Sequence, residues 1–478
     1  MNQLHQCITK ALCHCNIFQK MTSYPLKSVM KKHAALWLSL VAVSLFSQKK
    51  WTLEECVNYA IENNLQVVQQ QFSKKTQEYN LQIAQRQHLP TVSGTISNSA
   101  NFGQGRDVFG NTNRNDNFLN NASVGADILV YNNGRLRKSI RKTEYDVQAS
   151  SFDLDQIRND ISLQIAQQYL SILLNREIEK ISQSALQNAD KLYQRARITT
   201  DVGTTPKTVL AEAEAALARE KQNVKTAQVN TNRSLFALSM LLQLPEYKNF
   251  DIENVPMSSM LDAPLYSAET VIDKAFENQP QIKAAESRIK SAEEQTAITK
   301  TSFWPTVSAN AGISSSYFNS LVTNNVGKDI NGNLIKESNF FKQYKDNFGQ
   351  QLGLSANIPI FNKGITKLNV EQAKINEDIA KTTLLQQKQI VLQNVQKAQF
   401  DAESNYEIYL AAVESEKSSK LALDFAEKSY DAGRTTIYDL NVARNNFANA
   451  QGSAAQAKYN YLFSLKLLNF YAGIPLSL

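Results

Sequence analysis

Two periodicities of apolar residues divide this chain. From 135 to 202 and again from 365 to 432 there is neither Gly nor Pro, and apolar positions recur in steps of three and four, as in Ile178, Ile181, Ala185, Ala189, Leu192 and Ala196. That spacing predicts helices. A helix of about 65 residues is roughly 100 Å long, which points to coiled-coil packing instead of a globular core. Shorter helical stretches flank the two runs, at 52–88 and 207–244 and again at 268–303 and 434–472. Pro206 stands where a helix would start, and Pro245 and Pro475 where helices would stop.

Between the helices the period falls to two. Val124, Ala126, Ile128 and Val130 alternate with polar or small residues, as do Leu352, Leu354, Ala356, Ile358 and Ile360. Val92 and Ile96 alternate in the same way in the segment before the first of these strands, and Val307, Ala309, Ala311 and Ile313 before the second. Two β-hairpins follow, at 90–131 and 305–361, with strands of about ten residues or a little more. Phe102, Phe118, Tyr131, Tyr317, Phe348 and Phe361 gather at the strand ends. Strands of this length, with one apolar face and aromatic ends, have the dimensions of a transmembrane β-barrel wall. A soluble sheet packed on a core would show the same alternation, but the long helices offer no layer to cover it. Four strands cannot close a barrel, whose smallest membrane examples have about eight, so several chains must share one.

The chain also repeats itself. At an offset of 215, Leu89-Pro-Thr-Val-Ser93 matches Trp304-Pro-Thr-Val-Ser308; at an offset of 230, Tyr131-Asn-Asn-Gly134 matches Phe361-Asn-Lys-Gly364 and Gly203 matches Gly433. The 15-residue difference falls between 318 and 350, as a loop insertion. The expected organisation is one repeat at 48–245, a linker at 246–266 contributing to an equatorial region, and a second repeat at 267–478.

Composition sharpens this picture. Gly (16) and Pro (10) are about 5% of the chain against roughly 12% in average usage, which fits long uninterrupted elements. Hydrophobic residues are 42%, charged residues 20%, and the mean hydropathy is −0.37, too polar for a bundle of apolar transmembrane helices. The formal charge of +7 is concentrated at the front. Lys10, Lys20, Lys27, Lys31 and Lys32 precede residue 48 and no acid does, so the remainder has 46 basic and 44 acidic residues. Residues 1–47 read as a signal peptide, with the lysines before the apolar run Ala34 to Phe46 and an alternative start at Met30. Beyond it only Cys56 and His88 remain of their kinds. An intramolecular disulfide is excluded there and Cys56 reads as a buried free thiol. Catalytic triads and Cys/His zinc sites lack their partners. Gly103-Gln-Gly105 has no helix-opening third glycine to make a phosphate cradle. The near-neutral remainder disfavours a nucleic-acid partner.

The leader, the duplicated unit, the Leu-Pro-Thr-Val before a strand and Tyr430-Asp-Ala-Gly433-Arg-Thr-Thr-Ile-Tyr-Asp439-Leu together resemble the outer-membrane efflux protein family of TolC-like channels, over about 52–475. The resemblance implies a homotrimer in the cell outer membrane, extending into the periplasm. Its fold would be membrane α+β: a 12-stranded barrel with four strands per chain, continued by a helical coiled-coil tunnel. It implies a periplasmic membrane-fusion adaptor, an inner-membrane transporter and outer-membrane lipid as partners, with no cofactor and no metal. Val92, Ile96, Val124, Ile128, Val130, Val307, Ile313, Leu352, Leu354, Ile358 and Ile360 would then form the barrel's lipid face, and the six aromatics its girdle.

The segment around Gly433 matches the family's periplasmic tip. The resemblance assigns Asp439 to a pore constriction and Tyr430, Gly433 and Arg434, with Gly203 and Lys207 of the first repeat, to tip or closed-state contacts. Val442 stands where a second aperture acid is common, Val209 where the first repeat often has Asp, and Thr435 where a basic residue is common. Glu212, the repeat-equivalent of Val442, is the candidate replacement acid. Two other readings stay open on the sequence: the export duct of a type I protein secretion system, and an exported coiled-coil scaffold or adhesin without a barrel.

Overall fold

The computed structural model describes residues 50–106, 110, 112–255, 268–321, 330–331 and 339–474. The expected signal peptide and Met30 lie outside them, as do residues 256–266 of the linker and the expected helix stop Pro475.

The chain opens with β1 (Lys50–Trp51), α1 (Leu53–Asn63) and α2 (Leu65–Arg86). The first hairpin follows, with β2 (Thr91–Asn101), a small pair at its tip, β3 (Gln104–Arg106) and β4 (Thr112–Arg114), and then β5 (Asn117–Tyr131). The helices α3 (Arg135–Asp201) and α4 (Lys207–Leu241) complete the first repeat, and β6 (Asp251–Ile252) lies in the linker. The second repeat runs α5 (Ala268–Asn278), α6 (Pro280–Lys300), β7 (Thr306–Ser320), α7 (Phe340–Asp346), β8 (Gly349–Asn357), α8 (Ile365–Asp431) and α9 (Ile437–Tyr471). Both long helices have 67 residues.

Several boundaries differ from the periodicity. The helix expected at 52–88 is two helices, because Asn64 is extended at ψ 127° and its side chain caps α2 by accepting from the Gln66 N–H at 2.8 Å. The helix expected at 268–303 breaks at the equivalent Gln279, before Pro280, and ends in a 3-10 turn at Thr301–Phe303. β8 stops at Asn357, so Ile358, Ile360 and Phe361 lie beyond it in a segment that pairs with no strand among the described residues. Pro305 and Pro359 both lack an N–H, which ends the ladder at Thr306 opposite Asn357. The insertion expected as a loop contains α7, and β7 runs into it as far as Ser320.

The duplication is visible in the packing. One core buries Cys56, Ala60, Val67, Ile161, Ile165 and Leu238; a second buries Val271, Ala275, Ile282, Val391, Val395 and Leu468. These are the same positions of the two repeats, offset by 215 before the insertion and 230 after it. Around the first core, β1 and β6 pair in parallel. The fully buried Tyr169 donates its hydroxyl between Trp51 O (3.2 Å) and Glu253 O (2.9 Å). Arg176 donates to Ile252 O and Asn254 Oδ1 (2.9 and 2.6 Å) and pairs with Asp251. The first residues of the linker are thereby strapped onto the middle of α3.

Near the sheet α3 packs against α2 and α6, and α6 against α8; towards the far end α3 packs against α4 and α9, and α9 against α8. Each level is therefore a layer of four helices that, among the described residues, is open on two flanks.

Candidate functional site

Two regions carry the geometry of function: the sheet at one end and the helical tip at the other. The sheet order is β2-β5-β7-β8, antiparallel throughout, with β2 and β8 as free edges. Register aligns Val92, Ala126, Ala311 and Leu352 across all four strands, and Gly94, Val124 and Ile313 across three. Ile96, Ile128, Val307 and Leu354 fall on the same face, with Val130 beside the bulge that ends the β5–β7 ladder. These residues share one face of the sheet and most of them are exposed, Leu352 at 87%; Gln350 stands beside Ile313 on that face, and Ile358 and Ile360, expected there too, lie beyond β8. On the opposite face Thr91, Ser93, Thr95, Ser123, Asn310, Ser314, Gln351 and Ser355 face away from it, and Asp127 is the one charged residue in these four strands.

Aromatics mark both ends. Phe118 and Tyr317 lie 6.3 Å apart at the hairpin end, where Phe102 follows β2, and Tyr131 and Phe361 lie at the helix end. Phe348, expected with the first group, lies further down the wall beside Ile96, Val124 and Ile313, because β8 begins only opposite Ser314. From Phe118 to Tyr131, at roughly 3.3 Å per residue and a 45° tilt, the strand rises about 30 Å, the thickness of a bilayer's hydrocarbon core.

At the tip, the α3–α4 and α8–α9 turns have one design. Gly203 and Gly433 adopt left-handed φ of 75° and 69°. The Thr204 N–H donates to Thr199 O and the Arg434 N–H to Ser429 O, while both glycine N–H groups bond back three residues. This paired cap satisfies the last carbonyls of each long helix, and a Cβ at its left-handed position would be strained. Lys207 is the exposed first residue of α4, and Arg434 is exposed beside Gly433.

Asp439 proves to be a capping residue. Its Oδ2 accepts from the Thr436 hydroxyl (2.7 Å), the Thr435 hydroxyl (2.9 Å) and the Thr436 N–H (3.2 Å), and the Thr436 hydroxyl in turn accepts from the Asp439 N–H. The Thr436 and Thr435 hydroxyls and the Thr436 N–H hold its carboxyl below the usual aspartate range. It remains exposed, so the carboxylate is both a helix cap and a surface charge. The spacing Thr436-x-x-Asp439 is a capping-box signal that could have been read from the sequence. Glu212 is exposed on the second turn of α4, and Val442 is 40% exposed one turn beyond Asp439.

Tyr430 packs between repeats: Ala196, Ala213, Val209, Leu210 and Ile437 on one side, Leu192, Leu423 and Leu440 on the other. The Arg195 guanidinium sits 5.6 Å over its ring and reaches Asp431 at 2.5 Å. Arg444 joins Glu427 (2.7 Å) and Asn188 O (3.3 Å). Sequence reasoning missed Arg195 and Arg444, because they meet Asp431 and Asn188 across separations of 236 and 256 residues.

Elsewhere the chemistry is spare. Among the described residues no group of three or more His, Cys, Asp or Glu side chains could hold a metal ion, and no helix is long and apolar enough to cross a membrane. Cys56 is fully buried, and desolvation followed by the neighbouring Glu55 charge pushes its thiol up to about 12.

Comparison with known proteins agrees with this architecture. The sequence profile of the outer membrane efflux protein family matches residues 56–242 and 271–473, one segment in each repeat. The outer membrane efflux protein BepC of Brucella suis is 22% identical over 445 residues, 91% of this chain and 88% of BepC. The outer membrane protein TolC of Escherichia coli is 32% identical over 124 residues, about a quarter of either chain. Among solved structures, the Campylobacter jejuni CmeC outer membrane channel superposes with a TM-score of 0.72 at 20% identity, covering 88% of this chain and 85% of that one. With the profile matched in both repeats and the duplicated helix–hairpin–helix unit realised in three dimensions, the chain belongs to the outer membrane efflux protein family.

Proposed function

We propose that three copies close into a 12-stranded barrel in the outer membrane, continued by a helical tunnel through the periplasm, and that cargo passes through it passively after delivery by an inner-membrane transporter and a periplasmic adaptor. One observation carries this reading: sheet and helical layer are open on the same two flanks, and both flanks expose apolar side chains. α2 leaves Leu65, Phe72 and Tyr79 exposed at seven-residue spacing, and α8 leaves Leu368, Ile375 and Ile379 exposed at seven and four. That is the pattern of a coiled-coil seam. In hydrocarbon the unpaired N–H and C=O groups along β2 and β8 would each cost several kcal/mol, and head-to-tail pairing of β8 with the next chain's β2 removes that cost. Three chains of four strands give an even-stranded barrel of ordinary size.

In this assembly the apolar face meets lipid and the Ser-, Thr- and Asn-rich face lines the lumen, with no nucleic-acid partner and no cofactor. The tip carries the constriction. A ring of three Asp439 carboxylates, with Glu212 as a second acid, would favour cations, as charged rings do in other channels. Tyr430, with Gly203, Gly433, Lys207 and Arg434 around it, sets the closed position of the tip. Membrane fractionation tests the reading. The channel resists carbonate extraction and migrates in detergent as a trimer; a protein that washes off as a soluble coiled coil refutes it.

A further inference from the structure

The loop insertion of the second repeat carries a feature that channel function does not need. β7 outruns its partner β8: the β7–β8 ladder ends at Ser314 opposite Gly349, while β7 itself continues to Ser320. α7 covers this edge with side chains. The Gln343 carboxamide accepts from the Phe318 N–H and donates to Phe318 O, both at 2.9 Å, in place of a strand residue. Asn347 donates to Ser316 O at 2.8 Å, Ser315 Oγ donates to Tyr344 O at 2.6 Å, and the Tyr344 hydroxyl donates to Asn120. Phe340 packs 5.0 Å from Tyr317 and 4.5 Å from Tyr344.

Asn120, Ser315 and Tyr317 lie on the apolar face of the sheet, in register with Val124 and Ile313. α7 is therefore docked on the outside of the barrel wall, at the hairpin end far from the helices. Phe340, Gln343, Tyr344 and Asn347 occupy its sheet side. The 100° step between residues turns Phe341 and Lys345 onto one outer flank and Lys342 away from the sheet. Phe341 is 81% exposed, although it stands at the level of the aromatic girdle, and both lysines are exposed.

From this we propose that α7 is an interfacial foot that seats Phe341 among outer-leaflet acyl chains and presents Lys342 and Lys345 to anionic lipid headgroups. The inference rests on the barrel reading above. An exposed aromatic flanked by lysines on a short helix, continuous with an apolar wall, is the arrangement that partitions into a membrane interface. Its ring sits below the headgroups and its amines reach up to their phosphates.

The test uses the full chain with its four cysteines replaced by alanine, reconstituted in phosphatidylcholine vesicles containing phosphatidylglycerol. A nitroxide is placed in turn at Phe341, Val124 and Ser123. The predicted result is an oxygen-to-nickel collision ratio at 341 several-fold above that at 123 and close to that at 124. A low ratio at 341 beside a high one at 124 overturns the foot and leaves the barrel standing. Low ratios at both overturn the foot and the barrel together. A label at 341 shielded from oxygen and nickel alike reports a protein contact and also overturns the foot. In a second arm, spin-labelled phosphatidylglycerol is held at the wild-type protein about five- to thirtyfold in preference to phosphatidylcholine, as expected for one or both lysines acting near the surface. Lys342→Glu with Lys345→Glu abolishes that preference, and an unchanged preference refutes the role of the lysines.

Discussion

The strap around the middle of the molecule allows its energy to be worked out. Tyr169 is fully buried, and its single hydroxyl hydrogen is shared between Trp51 O and Glu253 O. Burial, more than any neighbouring charge, pushes this phenol well above its ordinary range, so it stays a neutral donor at every working pH. Tyr169→Phe removes the hydroxyl and leaves the ring, so the core acquires no large cavity. Trp51 O keeps the Glu253 N–H at 3.0 Å, whereas Glu253 O loses its donor. The expected cost is about 1 to 1.4 kcal/mol, one net hydrogen bond, which amounts to a five- to tenfold increase in local opening. The loss is confined to the strap, because the Arg176 contacts to Ile252 and Asn254 remain. Hydrogen exchange followed by mass spectrometry should show peptides spanning 50–53 and 250–255 exchanging about five- to tenfold faster, with the rest of α3 unchanged. Unaltered exchange in both peptides, or acceleration throughout α3, would refute the assignment of Tyr169 as the clamp.

Other consequences follow from the same geometry. Asp439→Asn should lower cation preference in planar-bilayer recordings. Because the carboxyl is held below its usual range, the wild-type preference should persist in mild acid and disappear only as pH falls through the lowered value. Gly433→Val places a β-branched residue at a left-handed position and should destabilise the tip by about 1–2 kcal/mol, read as faster proteolysis at the α8–α9 turn with the barrel intact. Ile313→Arg, on the apolar face, should cost about 2–4 kcal/mol near the bilayer midplane and sharply reduce assembled channel, whereas Ser123→Arg on the opposite face should assemble normally. Cys56 should resist maleimide in the folded protein from pH 7 to 9. Its folded-state pKa of about 12 exceeds the ordinary thiol value of 9.0, so the stability it contributes is complete below about pH 9 and is lost as pH rises towards 12.

Much of this architecture was legible because the physics that makes it is periodic. The 68-residue runs without Gly or Pro became α3 and α8 nearly to the residue, and the period-two segments gave the apolar face of the sheet. What escaped depended on the identity of single residues or on distant partners. Asn64 breaks the first helix through one side-chain cap, and Gln279 and Pro280 break its repeat-equivalent. Pro359 ends β8 before Ile358 and Ile360 can join it. α7 has only seven residues, too few for a period to show, and it is held by bonds from Gln343, Tyr344 and Asn347 to a strand some 25 residues earlier. The tip illustrates both cases. Gly203 and Gly433 announced their turns, whereas Arg195 beneath Tyr430 became visible only once the two repeats were folded together.

The barrel closes only if β8 of one chain pairs with β2 of the next and three such seams complete the wall. Cysteine pairs on one face test it directly: Ile96→Cys combined with Leu352→Cys or with Leu354→Cys, and Thr95→Cys combined with Gln351→Cys or with Ser355→Cys, oxidised in native membranes. Closure at three such seams requires that at least one register yield covalent dimers and trimers that stop at three chains. Monomer at every register, or a ladder continuing beyond three, would contradict it.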